Sequence, residues 1–296
     1  MIPVLTIASI GLYLRRRFKV DPKMVSSMMF NVFSPALTFY ALYSRDISGG
    51  EFLRMYGATL VLLWIVAGTS FFILRLQNAQ GAERAATLLA TFAFNGGNFG
   101  LSIVSFAFGE EALSWAVIAF VAGSTTAYTL GVYTASNGRA SIKASLLNVL
   151  RTPPIYALVA AFALKGLGIN ELPPAMDRSI KLLADASIPL MIILLGLQLG
   201  ELGTLTRLRL VFTGTTIRLL LAPLIGIVIA SLFGLTGDAR TAFIVQAGMP
   251  TAVMTIVLAT EFDTDRDLAL NLIMATTLIS PITLSIIIYL LQNGII

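Results

Sequence analysis

Neither cysteine nor histidine occurs in this chain of 296 residues. The first absence removes disulfides, thiolate metal sites and cysteine nucleophiles; the second removes serine–histidine triads, HExxH zinc sites and the usual proton shuttle. No metal and no cofactor are expected. Charge is scarce as well: Asp, Glu, Lys and Arg make up 12% of the residues, against roughly 25% in a soluble domain. What fills the gap is apolar, with 57% hydrophobic residues and a mean hydropathy of +0.87. A chain so composed must put most of its surface against lipid, which implies an all-α polytopic membrane protein. The net charge of +5 is then a matter of topology, and no nucleic-acid partner is expected.

Apolar stretches separated by short polar breaks fall at 2–14, 24–43, 53–74, 85–107, 112–135, 154–168, 179–199, 208–232, 240–260 and 268–292. These are ten spans of about 20 residues, and the longest polar gap, 136–152, is too short for a domain. The first span has its charges, Arg15, Arg16, Arg17 and Lys19, after it, unlike a cleavable signal peptide. With the N-terminus outside, the inner loops hold thirteen Lys and Arg and the outer loops six, Arg218 lying within a span. That asymmetry puts both termini on the non-cytoplasmic side of the cell membrane.

The chain resembles itself displaced by 154 positions. Pro35, in Phe33-Ser34-Pro35-Ala36-Leu37, falls on Pro189, in Ser187-Ile188-Pro189-Leu190-Met191; Phe108, before Glu110 and Glu111, falls on Phe262, before Asp263 and Asp265. Residues 1–135 and 153–296 then form two five-helix repeats joined by a short cytoplasmic linker or interfacial helix at 136–152. Because five is odd, the second repeat is inverted, the pattern of an alternating-access transporter.

Span four carries Phe94-Asn95-Gly96-Gly97-Asn98-Phe99-Gly100. Each Gly disfavours helix by about 1 kcal/mol, and the two carboxamides need partners, which argues against a continuous lipid-facing helix. Span nine carries Gln246-Ala247-Gly248-Met249-Pro250-Thr251 at the related place, and Pro250 lacks an N–H and disfavours helix at Met249. Matched breaks point to a substrate site: opposed half-helix N-termini suit an anionic group, and Asn95 and Asn98 both donate and accept hydrogen bonds. Close packing between helices is the other reading of the same glycines and amides. Two charges lie inside spans, Asp185 and Arg218. Asp185 is a candidate proton or cation site and Arg218 a counter-ion or anion attractor; alternatively they face a watery vestibule or form a structural strut.

These features resemble the auxin efflux carrier family of PIN-like transporters and, more distantly, the bile-acid and sodium symporter group. The residues that carry the resemblance are Asn95 and Gly100, Asp185, Arg218 with Pro223, Gly234-Leu235-Thr236-Gly237-Asp238, Ile244-Val245-Gln246-Ala247, Met249-Pro250 and Pro281-Ile282-Thr283-Leu284. The resemblance implies ten helices in two inverted repeats. Helices one, two, six and seven would form a scaffold and homodimer interface, and the others a mobile part whose broken fourth and ninth helices cross. A small organic acid would bind beside the crossing at Asn95, faced by Ser34 on the scaffold wall. Phe94 stands where the plant carriers have proline, and their long central loop is absent, so the compact form is similar to bacterial members, some of them associated with dicarboxylates. The expected function is a secondary transporter of small organic anions working by an elevator-type movement. Its site would comprise Ser34, Asn95, Gly96, Gly97, Asn98, Gln246, Met249, Pro250 and Thr251. An intramembrane enzyme, or a channel or sensor, is the alternative; the enzyme is disfavoured because no paired aspartates occur mid-span.

Overall fold

The computed structural model of the protein describes residues 2–136, 152–199 and 206–296. Among these residues the chain is helical, without a strand, and one isolated bridge pairs Phe94 with Thr251. The helices are α1 (Ile2–Phe18), α2 (Pro22–Tyr43), α3 (Gly49–Leu76), α4 (Gly81–Phe92), α5 (Gly96–Ala135), α6 (Pro153–Gly166), α7 (Pro174–Leu199), α8 (Leu208–Leu232), α9 (Gly237–Ala247), α10 (Met254–Glu261) and α11 (Arg266–Gln292). Six of them are long and apolar enough to cross a membrane: α2, α3, α5, α7, α8 and α11. Large apolar side chains cover their outer surfaces, among them Trp64, Phe72, Phe212, Leu224 and Ile282, as a lipid environment requires. The interfacial helix expected over 136–152 lies, apart from Ser136 and Thr152, outside the described residues.

The helix ends follow from local chemistry. Asp21 caps α2 through the Lys23 N–H, with Pro22 in the first turn. Ser48 and Glu51 close a reciprocal capping box at α3, and Asp265 caps α11 through the Leu268 N–H. These caps satisfy N–H groups that a helix start leaves without partners.

At 40 residues and 1.5 Å per residue, α5 would be about 60 Å long if straight, roughly twice the apolar thickness of a bilayer. It is not straight: Gly109 adopts φ 82° and ψ −168°, a conformation open to glycine, so spans four and five meet at a sharp corner instead of a loop. Two proline sites are accommodated by widened turns. Met29–Phe33 winds as a π-turn just before Ser34-Pro35, and Ile217–Leu221 does so just before Ala222-Pro223. Each proline removes a helix donor and crowds the preceding turn, and the wider winding absorbs both.

The helices pack as two groups. α1 lies along α7, α6 along α2, and α2 against α7. The approach of α1 to α7 is closest at Gly11 and Gly196, where an added methyl would collide with the Ile193 and Ala8 carbonyls. The second group builds α3, α4, α5, α8, α9 and α11 around the Phe94–Thr251 bridge. The groups meet where α7 touches the Gly96–Leu101 turn of α5 and where α2 touches α5.

Candidate functional site

The chain leaves helix at Ala93–Asn95 between α4 and α5, and again at 248–253 between α9 and α10. The two interruptions lie side by side and antiparallel. The Asn95 N–H donates to the Pro250 carbonyl at 2.7 Å and the Ala252 N–H to the Ala93 carbonyl at 2.8 Å, on either side of Phe94 and Thr251. Unwound backbone at membrane depth must find partners inside the protein, and here each break supplies the other's. Pro250, which has no N–H to satisfy, serves as an acceptor only.

Three side chains brace the crossing. Thr251, fully buried, donates its hydroxyl to the Ala90 carbonyl at 2.8 Å, while its N–H donates to the Thr276 hydroxyl on α11 at 3.1 Å. Gln246, also buried, donates through Nε2 to the Gly96 and Ala116 carbonyls, both at 3.3 Å. Arg218 on α8, 0% exposed, donates through Nη1 to the Thr91 carbonyl at 3.0 Å and through Nη2 to the Ala247 carbonyl. Thr91 is in the last turn of α4, and Ala247 ends α9. Those turns carry the negative ends of the helix dipoles, so the guanidinium lies between two partial negative charges, with its carbon 5.9 Å from the Phe94 ring centre. This is the geometry of a strut.

The glycines sit downstream of the first break, not in it. Gly96 and Gly97 open α5, and what they provide is proximity. A methyl on Gly96 would meet the Phe94 ring at 2.4 Å, one on Gly97 the Phe120 ring at 2.9 Å, and one on Gly100 the Gln246 Oε1 at 2.3 Å. Met249 is fully buried and donates its N–H to the Gln246 carbonyl.

The amides of Asn95 and Asn98 are differently placed. Asn95 is 6% exposed and Asn98 half-buried, and among the described residues neither side chain has a hydrogen-bond partner. Both stand at the start of α5, where the first N–H groups of a helix have no intrahelical acceptor.

Ser34 is buried on α2. Next to it the Phe33 carbonyl accepts the Ser187 hydroxyl at 2.9 Å, which ties α2 to α7; the Gly96–Leu101 turn packs on α7. Asp185 is elsewhere. Its carboxylate is 54% exposed, accepts from Lys181 Nζ at 3.0 Å one turn earlier, and borders a cavity of about 190 Å³ shared with Tyr40, Arg45, Ser105, Glu110 and Ser114. A larger cavity, of about 340 Å³, opens between Ile2–Val4, Ile103–Ala107 and the end of α11. The crossing residues line neither cavity. The structure therefore brings Asn95, Gly96, Gly97, Asn98, Gln246, Met249, Pro250, Thr251 and Arg218 together and leaves Asp185 in a separate polar cleft. Thr276 and the Thr91, Ala90 and Ala247 carbonyls complete the crossing. A threonine in an apolar span and three backbone oxygens leave no mark in a sequence.

A family model described as membrane transport protein matches residues 1–288. An uncharacterized transporter of Methanocaldococcus jannaschii is 23% identical over 278 residues, covering 92% of this chain and 90% of the relative. Another, of Methanothermobacter thermautotrophicus, is 26% identical over 267 residues, covering 89% and 87%.

Proposed function

The chain belongs to the membrane transport protein family, the auxin efflux carrier group its motifs resemble, and on that premise we propose that it is a secondary transporter of small organic anions that binds its substrate beside the helix crossing. The observation that carries this reading is the division of polar groups there. The terminal nitrogens of Arg218, Gln246 Nε2, Thr251 and the paired backbone have protein partners, whereas the side-chain amides of Asn95 and Asn98 are wholly without them among the described residues, beside the single unpartnered atoms Arg218 Nε and Gln246 Oε1. Two carboxamides beside the positive end of α5 suit a carboxylate.

The transport cycle is an elevator-type shift of the crossing group against the group of α1, α2, α6 and α7, with Ser34 and the α7 wall facing the substrate. Ten spans in two inverted repeats underlie it. Supporting that reading, α1 packs on α7 as α6 packs on α2, an exchange that a two-fold relation between repeats requires. Ser187 also bonds Phe33 across a separation of 154 positions, the displacement between the repeats. Both termini lie on the non-cytoplasmic side, and the scaffold helices form a homodimer.

Uptake of radiolabelled mono- and dicarboxylates into proteoliposomes tests the proposal. Asn95→Ala and Asn98→Ala together should abolish uptake in protein that remains folded; unchanged uptake would refute the crossing as the substrate site.

A further inference from the structure

We propose that Arg218 is a positioning residue: a built-in cation that holds the C-terminal ends of α4 and α9 together, so that the two breaks keep one geometry without a bound metal ion. The starting point is electrostatic. Each helix end exposes carbonyls and about half a negative charge, and the crossing brings two such ends together at the centre of a protein whose exterior is apolar. Left alone, they repel, and their carbonyls lack donors.

Arg218 answers both needs with one planar group. Its two terminal nitrogens donate in different directions, one to Thr91 on α4 and the other to Ala247 on α9. A guanidinium has the rigid fork for this, whereas an ammonium is a point charge on a flexible stem. Among the described residues no carboxylate forms an ion pair with Arg218, and its Nε has no partner. The charge is therefore matched by helix ends and by the face of Phe94, the residue at the middle of the first break. The π-turn Ile217–Leu221 puts one extra residue into α8 where Arg218 must reach inward, and such widened turns often mark functional positions. Asn95 follows Phe94 directly, so a shift of the α4 end is a shift of Asn95.

The transport arm of the test rests on the function proposed above; the stability arm does not. Thermal unfolding of the purified protein is measured at one ionic strength in sodium, potassium and choline chloride, and with millimolar methylguanidinium. Wild-type protein should unfold at the same temperature in all of them. Arg218→Ala should unfold earlier and be restored, saturably, by methylguanidinium. Selective stabilisation of wild type by sodium, or an Arg218→Ala protein as stable as wild type, would overturn the proposal. Should Arg218→Ala not fold, Arg218→Lys decides. It keeps the charge without the fork, and the apparent KM for the carried acid should rise about tenfold, the scale of one charge-assisted hydrogen bond, at little change in maximal rate. In that background Asn95→Ala should cost less than it does in wild type. An unchanged KM, or fully additive losses, would overturn it. If wild type carries no acid at all, the proposed function fails, and the cation series alone decides the role of Arg218.

Discussion

Gly100→Ala is the sharpest test of the crossing's packing. The new Cβ would lie 2.3 Å from Gln246 Oε1, 2.9 Å from its Cδ and 3.0 Å from its Nε2, so the whole carboxamide has to move. Moving it breaks the two Nε2 bonds to the Gly96 and Ala116 carbonyls, each worth about 0.5–1.5 kcal/mol. The forced repacking adds about 1–3 kcal/mol, and the gain in helix propensity returns about 1 kcal/mol. The net destabilisation is about 1–5 kcal/mol, centred near 3. In a chain of this size that lowers Tm by roughly 2–10 °C, centred near 6 °C, at about 2 °C per kcal/mol. Intrinsic fluorescence from Trp64 and Trp115 during thermal unfolding in detergent reads the change. A second background makes the assignment specific: with Gln246→Ala in place the clash has no partner, and adding Gly100→Ala should then be neutral or stabilising. A Gly100→Ala protein as stable as wild type, or one that loses equally in both backgrounds, would refute the reasoning.

Two further substitutions separate structural from transport roles. Thr251→Val keeps the shape but leaves the buried Ala90 carbonyl without its donor, and should destabilise by about 1–3 kcal/mol, read as a Tm fall of roughly 2–6 °C; no change would mean that Thr251 does not brace α4. Asp185→Asn breaks a half-exposed pair with Lys181 that is worth about 0.5 kcal/mol or less, so Tm should stay within roughly 1 °C of wild type. If Asp185 carries a coupled proton, the same variant flattens the pH dependence of uptake, and intact pH dependence removes that role.

The two helix interruptions were legible in the sequence because Gly and Pro inside apolar, span-length segments have few other meanings. Their exact position was not. The run Asn95-Gly96-Gly97-Asn98 looks like the break itself, yet the unwound residues are Ala93–Asn95 and the glycines begin the next helix. The same residue type serves backbone freedom and close approach, and the choice here depends on Gln246, which lies 150 positions from Gly96. Arg218 stood out as a charge in an apolar span, but its partners are backbone carbonyls, invisible in a residue pattern. Asp185 looked deeper than it is. Hydropathy places the start of span seven near residue 179, whereas α7 begins at Pro174, and the i,i+4 pairing with Lys181 holds the carboxylate in a polar cleft. The corner at Gly109 was hidden as well: Phe108–Glu111 has the composition of a short loop, and the positive φ at Gly109 makes it a direct turn.

The central claim is that the crossing binds an organic anion through Asn95. Thermal stabilisation of the purified protein across a panel of weak organic acids tests it most directly, because it needs neither a known transport direction nor a known coupling ion. A ligand at 100 times its Kd adds about 2.7 kcal/mol, a Tm rise of roughly 5 °C. The account predicts that at least one carboxylate stabilises wild type and that Asn95→Ala, whose side chain has no protein partner to lose, unfolds at the wild-type temperature but no longer responds. A carboxylate that stabilises both proteins equally would contradict it.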